Sequence, residues 1–543
     1  MPETLQTAIQ FARETTVRAL RSPRLRWDLS LGLLVLALLS YSWMFGSISV
    51  PNERSRVYLT VAMVDHGTLS IDEPIRRFGR IHDWARRDGR YYTDKAPGSS
   101  LLGAVPYGVA RCFSEPEDWK IHELVNLMRT WVMVPIGLIG FFWLRRLLRG
   151  LGLDPPSVDI TAIGWILGTS AFHYSTAFYG HQIVAVCMVG ALDLALLAQE
   201  RLRDASSKAS RAILPMLGAG MFAGMAGLTE YQAGIPAVLL ALFVVTGPVG
   251  KRAVPLGGFV LGAVPFALIL FGYNTFAFGG PLELSYHYLI DPGLRQVHGQ
   301  GIGGVAVPHW EYAAGGLLSV HRGLLTTSPL FLLAVPGLVL MGRRRMWRLT
   351  ALVGVTLLYF VLFLSSTKIW FAGWSFGPRL LVPVMGWAMI PIAFCVTALG
   401  RWLASDGIPR GLALFGLLYH QAVHAVFPEL PETATHPVVD VILPALRGGH
   451  VSPNLASSLF GWEGRSSLVP LGILVVIASV VLVARPRKAP TGKGSAATMA
   501  VTLGVVILCS IPLFLAKPGW SDGEVRRFTD WLAQLAAAER RLP

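Results

Sequence analysis

Several ionisable side chains near the ends of apolar segments have the chemistry needed to bind a phosphate. Lys95 follows Asp94 and precedes Ala-Pro-Gly, and a lysine at a membrane surface can hold a phosphate as a compact point charge. Arg322 and Arg379 stand at the ends of two later apolar segments and could add forked donors to the same phosphate. For each cation taken alone, contact with a lipid headgroup explains the position equally well, and Asp94 can be the ion-pair partner of Lys95.

A carboxylate acting as a general base would complete such a site, because it can accept the proton of an attacking hydroxyl group. Glu53 is the first candidate, since it directly follows the first apolar segment and has two arginines nearby that can keep it ionised. Asp65 and Asp72 are the alternatives. Each also has a structural explanation, Asp65 as a helix-surface residue and Asp72 as a helix cap or turn residue.

His181 and Glu230 lie at the ends of apolar segments with little loop around them. Ionisable groups at that depth are costly unless they are paired or hydrated, so both are functional candidates, with a structural pair or interfacial snorkelling as the alternative. Other polar and aromatic residues complete the candidates for a substrate cavity: Asn52, Arg56, Tyr92, Asp94, Tyr286, His287 and Trp374. No cluster of His, Cys, Asp or Glu has the spacing of a metal site.

Composition shows which elements must position these residues. Of the 543 residues, 53% are hydrophobic and only 15% are charged, and the apolar residues come in stretches of about 20, the length that spans a bilayer as a helix. This composition excludes a soluble enzyme, a disulfide-stapled secreted domain, a coiled coil and a disordered chain. The net charge of +15 then predicts a basic cytoplasmic face and no nucleic-acid partner.

An all-α polytopic membrane protein with about 13 transmembrane helices is the predicted fold. The predicted spans are 29–49, 124–144, 158–176, 180–199, 212–229, 234–249, 254–273, 323–341, 349–366, 380–400, 411–427, 466–484 and 495–516. The apolar segment 97–113 is shorter and contains two prolines, so we expect it to be re-entrant or interfacial.

The Lys and Arg residues concentrate in the loops on one side of this arrangement, which predicts that the N-terminus is cytoplasmic. Segment 1–28 is then a cytoplasmic amphipathic N-terminus, and 29–516 is the transmembrane domain. Within that domain, 50–96 is the first external loop. Segment 517–543 is an external amphipathic tail, expected to lie on the membrane surface. The candidate residues share the external face.

The chain resembles the GT-C superfamily of polyprenyl-phosphate-dependent glycosyltransferases. Within it, the chain is most similar to the family-39 branch of protein O-mannosyltransferases and lipid A aminoarabinose transferases. The resemblance lies in Asn52-Glu53, where that branch has an acidic pair, in a helical stretch from Tyr58 to Gly67, and in the Lys95 motif Tyr92–Gly98. This detailed match covers about the first 150 residues. Later stretches, 319–324 and 374–379, resemble uncharacterised bacterial members.

The chain departs from this family pattern at three positions. Asn52 stands where the acidic pair usually begins with Asp, and Ala96 and Gly98 replace a Pro and a Leu of the lysine motif, whereas Lys95 is intact. Three explanations therefore stay open. Glu53 takes over as the base, Asp65 or Asp72 supplies it, or the chain is not a transferase of the usual kind.

The resemblance implies an inverting membrane glycosyltransferase with a GT-C-type helical first external loop. It would move a sugar from a polyprenyl-phosphate carrier to a glycan, lipid or protein acceptor at the external face of a bacterial inner membrane. It implies no cofactor and leaves a divalent metal open, since superfamily members differ in this respect. A non-catalytic GT-C-like protein is one alternative. A lipid-linked sugar flippase is the other, and it would need charges near the bilayer midplane and paired halves.

Overall fold

The computed structural model describes residues 22–42, 50–203, 208–247, 253–301, 304–402, 404–484 and 492–539. Within these ranges the chain is almost entirely helical and contains one two-stranded β-hairpin. Most of the predicted N-terminal segment 1–28, up to residue 21, lies outside the described residues.

The described ranges contain 23 α-helices, numbered in chain order. The first eleven are α1 (Pro23–Tyr41), α2 (Pro51–His66), α3 (Asp72–Phe78), α4 (Gly98–Arg111), α5 (Ile121–Gly150, with a π-helical turn at Arg129–Met133), α6 (Pro155–Gly168), α7 (Ala171–Tyr174), α8 (Gly180–Arg203), α9 (Ile213–Thr229), α10 (Gly234–Val245) and α11 (Ala253–Phe278). The other twelve are α12 (Pro292–His298), α13 (Trp310–Leu318), α14 (Leu324–Thr327), α15 (Ala334–Arg343), α16 (Trp347–Ser365), α17 (Val382–Leu399), α18 (Gly407–Val426), α19 (Leu443–Arg447), α20 (Leu455–Phe460), α21 (Val469–Ala484), α22 (Gly492–Leu515) and α23 (Asp522–Glu539).

Eight helices of the described chain are long and apolar enough to cross a membrane. These eight include all or most of α5, α8, α9, α11, α16, α17, α21 and α22. Two shorter apolar helices contain α10 and α15, and α1, α6 and α18 occupy the remaining predicted spans. The polytopic helical membrane fold is confirmed, while the count of 13 spans and the orientation of the N-terminus stay predictions.

Burial separates the interior of the helix bundle from its periphery. The buried share of the most apolar stretch is 83% in α8 and 89% in the helix containing α17, but only 6% in α22. Leu, Ile, Val and Phe side chains on α22 are therefore free to face lipid tails. Helices α9 and α11 cross closely at Gly220, where an added Cβ would strike the Phe259 carbonyl oxygen. This close crossing is the small-residue packing typical of membrane helices.

The first loop forms a small folded unit that positions the candidate residues. Helix α2 starts with Pro51 and ends at Gly67, which has a left-handed φ of +59°, as a helix C-cap requires. Strands β1 (Trp84–Arg87) and β2 (Arg90–Thr93) pair antiparallel, with Trp84 opposite Thr93. The hairpin packs on the end of α11 through an aromatic cluster that includes Tyr92 and Phe278.

The segment predicted as re-entrant is helix α4, which packs on α2. Its 14 residues extend over about 21 Å at 1.5 Å per residue, which is shorter than the roughly 30 Å hydrocarbon core. Its placement within the membrane stays a prediction.

Candidate active site

Lys95 lies between two carboxylates that the β-hairpin brings together. Because Trp84 pairs with Thr93, Asp83 and Asp94 are neighbours just beyond the paired strands. Lys95 Nζ lies 3.0 Å from Asp83 Oδ2 and 2.7 Å from Asp94 Oδ2. The Lys95 and Asp83 side chains are 17% and 18% exposed, so a ligand can reach them.

Burial and charge act against each other on these three groups. Burial alone would raise the pKa of Asp83, but Lys95, Arg379 and Arg56 bring it below its ordinary value. Burial raises the pKa of Asp94, and the negative charge of Asp83 supports that rise against the attraction of Lys95. Burial would lower the pKa of Lys95, but the two carboxylates raise it. Lys95 is therefore cationic at neutral pH.

Arg56 connects helix α2 to the end of helix α9. Its Nη2 donates to Glu230 Oε1 at 2.8 Å, its Nε donates to Ser99 Oγ at 2.9 Å, and its Nη1 donates to the side chain of Asn52. His181 Nδ1 lies 3.6 Å from the same Glu230 oxygen. The Glu230 side chain is 16% exposed, so its carboxylate is paired and still accessible.

Two glycines allow the end of α9 to approach this site. A Cβ at Gly180 would collide with the carboxylate of Glu230, and a Cβ at Gly98 would lie 2.5 Å from Thr229 Oγ1. Since Gly98 directly follows the Lys95-Ala-Pro stretch, this close approach brings Glu230 next to the lysine loop. Any larger residue at either position would force these segments apart.

Arg379, just before α17, is a guanidinium without a carboxylate partner among the described residues. Its Cζ lies 5.5 Å from the centre of the Tyr179 ring, and its Nε is buried with no hydrogen-bond partner in the described part of the chain. It acts electrostatically on Asp83 and His181. A buried donor without a partner is unfavourable, and a bound anion would satisfy it.

Tyr286 lies beside these charges. Its ring contacts Tyr231 with ring centres 6.0 Å apart and stacks on His298 at 4.5 Å. Burial, together with the charges of Glu230 and Asp94, raises the pKa of Tyr286. The phenol therefore stays neutral and can donate a hydrogen bond next to both carboxylates.

Together these residues form one charged cluster at one end of the helix bundle, with three cations, three carboxylates and a histidine. Its members are Arg56, Asp83, Asp94, Lys95, His181, Glu230 and Arg379. Such a set can bind an anionic phosphate through its cations and accept a proton at a carboxylate. Groups of His, Cys, Asp and Glu able to hold a metal ion are absent from the described residues.

The structure places Glu53 outside the accessible part of this cluster. Glu53 is fully buried, and its carboxylate accepts from Arg129 at 2.9 and 2.5 Å and from the Phe178 amide at 2.7 Å. A carboxylate engaged in this way cannot reach an acceptor hydroxyl. On the same turn of α2, Asn52 points instead to Arg56.

The other two predicted bases occupy structural positions. Asp65 accepts from Arg111 and Tyr107 at 2.8 and 2.7 Å, and it lies 12 residues from Glu53 along α2, about 18 Å away. Asp72 accepts from the Tyr91 amide at 2.9 Å and ties the start of α3 to β2. The Asp65 side chain is buried in its ion pair and is not the helix-surface residue expected, whereas Asp72 connects two elements of the first loop.

Four more predicted residues lie away from the charged cluster. Arg322 is fully buried and donates to His321 and to the carbonyl groups of Ser375 and Leu430, so it holds loops together and has no surface for a phosphate. Tyr92 packs in the hairpin core. His287 pairs with Glu283 on the surface at 3.1 Å. Trp374 lies against Trp531 of α23.

Three ionisable residues were not predicted from the sequence: Asp83, Arg129 and Glu429. Glu429 is fully buried, and its Oε1 is hydrogen-bonded to His173 Nε2 at 3.0 Å. Arg129 carried a usable signal, because an arginine inside a predicted span requires a buried partner. Asp83 carried none, since its proximity to Asp94 results from the hairpin register.

The chain is similar to solved structures of two membrane enzymes. One is ArnT from Cupriavidus metallidurans bound to undecaprenyl phosphate, at 16% identity over 95% of this chain and 80% of that one, with a TM-score of 0.49. The other is the Archaeoglobus fulgidus oligosaccharyltransferase tethered with an acceptor peptide, at 13% identity over 77% of this chain and 57% of that one, with a TM-score of 0.50.

The likeness at a TM-score of 0.50 shows that this chain and the archaeal enzyme share a fold. This chain spans little more than half the length of the archaeal enzyme. No protein-family model and no curated protein sequence matches the chain. This likeness shows the fold alone, so the GT-C superfamily and its family-39 branch stay predictions.

Proposed function

We propose that the protein is a membrane glycosyltransferase that moves a sugar from a polyprenyl-phosphate carrier to an acceptor hydroxyl at the charged cluster. The fold shared with the archaeal enzyme and the Lys95 motif support this proposal. The observation that carries it is Arg379, which has a buried Nε without a hydrogen-bond partner and no carboxylate partner among the described residues, in the same cluster as the accessible Lys95.

Lys95 and Arg379 hold the donor phosphate. In the ligand-free arrangement Lys95 is shared by two carboxylates, and an incoming phosphate can replace one of them as its partner. Arg379 requires no such exchange, because its guanidinium has an unsatisfied donor. Charge-assisted contacts of this kind are the strong ones. They also stabilise the phosphate as it leaves.

Glu230 is the base in this mechanism. Its carboxylate is paired with Arg56, and its partial exposure lets an acceptor approach. Glu230 accepts the hydroxyl proton while the acceptor oxygen bonds to the anomeric carbon. The bond between that carbon and the phosphate oxygen breaks, and the electron pair stays on the phosphate held by Lys95 and Arg379. One such displacement inverts the anomeric centre.

Binding of a polyprenyl phosphate to the full-length protein in lipid nanodiscs tests this proposal. Arg379→Ala and Lys95→Met should each weaken binding by about 10- to 100-fold, the effect of losing a hydrogen bond to a charged group. Arg465→Ala is the matched control, because Arg465 is an exposed arginine outside the cluster. Equal affinities in all three variants and the wild type would reject the phosphate site.

A further inference from the structure

A second candidate site lies between α23 and the loop that precedes α17. It is a cleft of about 350 Å³ with aromatic walls and polar groups at its rim. This aromatic cleft is lined by Trp374, Trp520, Phe528 and Trp531, with Glu524 and Arg527 beside them. Its volume lies at the lower end of the range for small-molecule sites, and such sites combine apolar walls with a few polar groups.

Two fully buried charged residues fix the walls of the aromatic cleft. Asp440 accepts from the backbone amides of Gly519 and Trp520 at 3.0 and 3.3 Å, which holds the wall at the start of α23. Arg322 donates to the carbonyl group of Ser375 at 2.5 Å, next to Trp374 on the opposite wall. A site whose walls are already fixed loses less entropy when it binds a ligand.

The apolar face of helix α23 packs against the rest of the protein. Phe528 and Leu532 are buried, and Phe528 meets the ring of Phe427 with centres 5.3 Å apart. A helix that anchors in lipid leaves its apolar face free for the bilayer, and that face is occupied here. Trp374 nevertheless stays 40% exposed at the cleft, so the cleft presents an aromatic surface.

We propose that the aromatic cleft binds the saccharide portion of the acceptor, an inference that rests on the proposed transferase function. A sugar ring has an apolar face of C–H groups and an edge of hydroxyl groups. The exposed ring surface of Trp374 suits the first, and Glu524 and Arg527 can hydrogen-bond the second. An anionic lipid headgroup fits less well, because the carboxylate of Glu524 would repel it.

The cleft lies within reach of the transfer site. Trp374 is five residues from Arg379 in the same loop, so the two are at most about 17 Å apart along an extended chain. An acceptor of several sugar rings could occupy the aromatic cleft while its reactive end reaches Glu230.

Saturation-transfer NMR of the full-length protein in nanodiscs tests the inference. The probes are linear oligosaccharides of glucose, mannose, galactose and N-acetylglucosamine. At least one should bind the wild type, and Trp374→Ala should weaken it by about tenfold. Trp374→Phe should retain most of the binding. Trp310→Ala is the control, because Trp310 is 75% exposed and lies outside the cleft.

Donor binding, measured on the same samples, separates this inference from the proposed function. Trp374→Ala should bind polyprenyl phosphate normally, which also shows that it is folded, whereas Lys95→Met should bind the donor about 10- to 100-fold more weakly and keep the oligosaccharide. The inference is overturned if no oligosaccharide binds, or if Trp374→Ala binds as well as the wild type. It is also overturned if occupancy of the cleft follows the anionic lipid content of the nanodisc and not the saccharide.

Discussion

At the residue scale, Glu230→Gln should separate chemistry from donor binding. The substitution keeps the size and hydrogen bonding of the side chain but removes the basic carboxylate. Sugar release from the donor should slow by about two to four orders of magnitude, the range for loss of a general base. Polyprenyl phosphate binding should change little, because Lys95 and Arg379 are untouched. Transfer rates with a panel of polyprenyl-phosphate sugars measure the effect.

A second-site variant provides a control for this assignment. Asn52 and Glu230 contact the same guanidinium, that of Arg56. Asn52→Asp in the Glu230→Gln background therefore restores a carboxylate beside Arg56, and part of the activity should return. If the activity of Glu230→Gln is normal and Asp83→Asn abolishes transfer, the role of base moves to Asp83. Normal donor binding without transfer in the wild type would instead indicate a non-catalytic GT-C-like protein.

The raised pKa of Asp94 predicts how donor affinity depends on pH. Burial and Asp83 raise this pKa, so Asp94 takes up a proton at a higher pH than an ordinary aspartic acid. One competitor for Lys95 then loses its charge while the donor phosphodiester keeps its own. The lowered pKa of Asp83 keeps that residue ionised. Donor affinity should therefore rise as pH falls into the range in which Asp94 takes up its proton.

Asp94→Asn should remove this dependence and bind donor tightly over the whole range. Titrating a polyprenyl-phosphate sugar, a phosphodiester that lacks the second ionisation of a phosphate monoester, at a series of pH values with both proteins measures this effect. An affinity that falls on acidification in the wild type, or the same pH profile in both proteins, would contradict the competition between Asp94 and the donor phosphate.

Which residues carry charge near the site could be predicted from the sequence, but their roles could not. Lys95, Arg379, His181 and Glu230 follow from their positions at the ends of apolar segments. The charge of Glu53 could also be predicted from its position. Its carboxylate, however, is paired with Arg129, which is 76 positions away in the chain. Nothing local distinguishes a sealed carboxylate from an accessible one.

At the element scale, the ion pair between Glu53 and Arg129 braces helix α2 against helix α5. Glu53→Gln leaves a buried arginine without its counter-charge, which should cost about 3–5 kcal/mol in the free energy of unfolding. Glu73→Gln is the matched control. Glu73 pairs with Arg76 on the surface, and such exposed pairs contribute about 0–1 kcal/mol.

Unfolding in detergent mixtures, followed by circular dichroism, measures this difference. A Glu53→Gln protein that is as stable as the wild type but inactive in transfer would return the catalytic role to Glu53.

The elements themselves were predicted unevenly, for a physical reason. Each of the 13 predicted spans overlaps a helix in its described part, because a membrane-spanning helix requires a long apolar segment that is visible in the sequence. The hairpin was not predicted, since strands of four residues with charged side chains show no clear alternation. The contact of Asp83 with Lys95 depends on that hairpin.

At the scale of the whole molecule, the charged cluster should face the outside of the cell. The excess of Lys and Arg in the loops at the other end predicts this orientation. In a Cys112→Ser background, which removes the exposed native cysteine, Asp88→Cys in the hairpin turn should react with an impermeant thiol reagent in intact cells. Trp402→Cys at the other end should react only after lysis. The reverse pattern would place the cluster in the cytoplasm.

The proposed transferase function depends on where the lipid phosphate binds. A cryo-electron microscopy structure with a bound polyprenyl phosphate shows this position directly. We expect phosphate oxygens within about 3 Å of Lys95 Nζ and of the Arg379 guanidinium, with Glu230 facing the position of the sugar. A phosphate bound elsewhere, with Lys95 still held between Asp83 and Asp94 and Arg379 still without a partner, would contradict the proposed function.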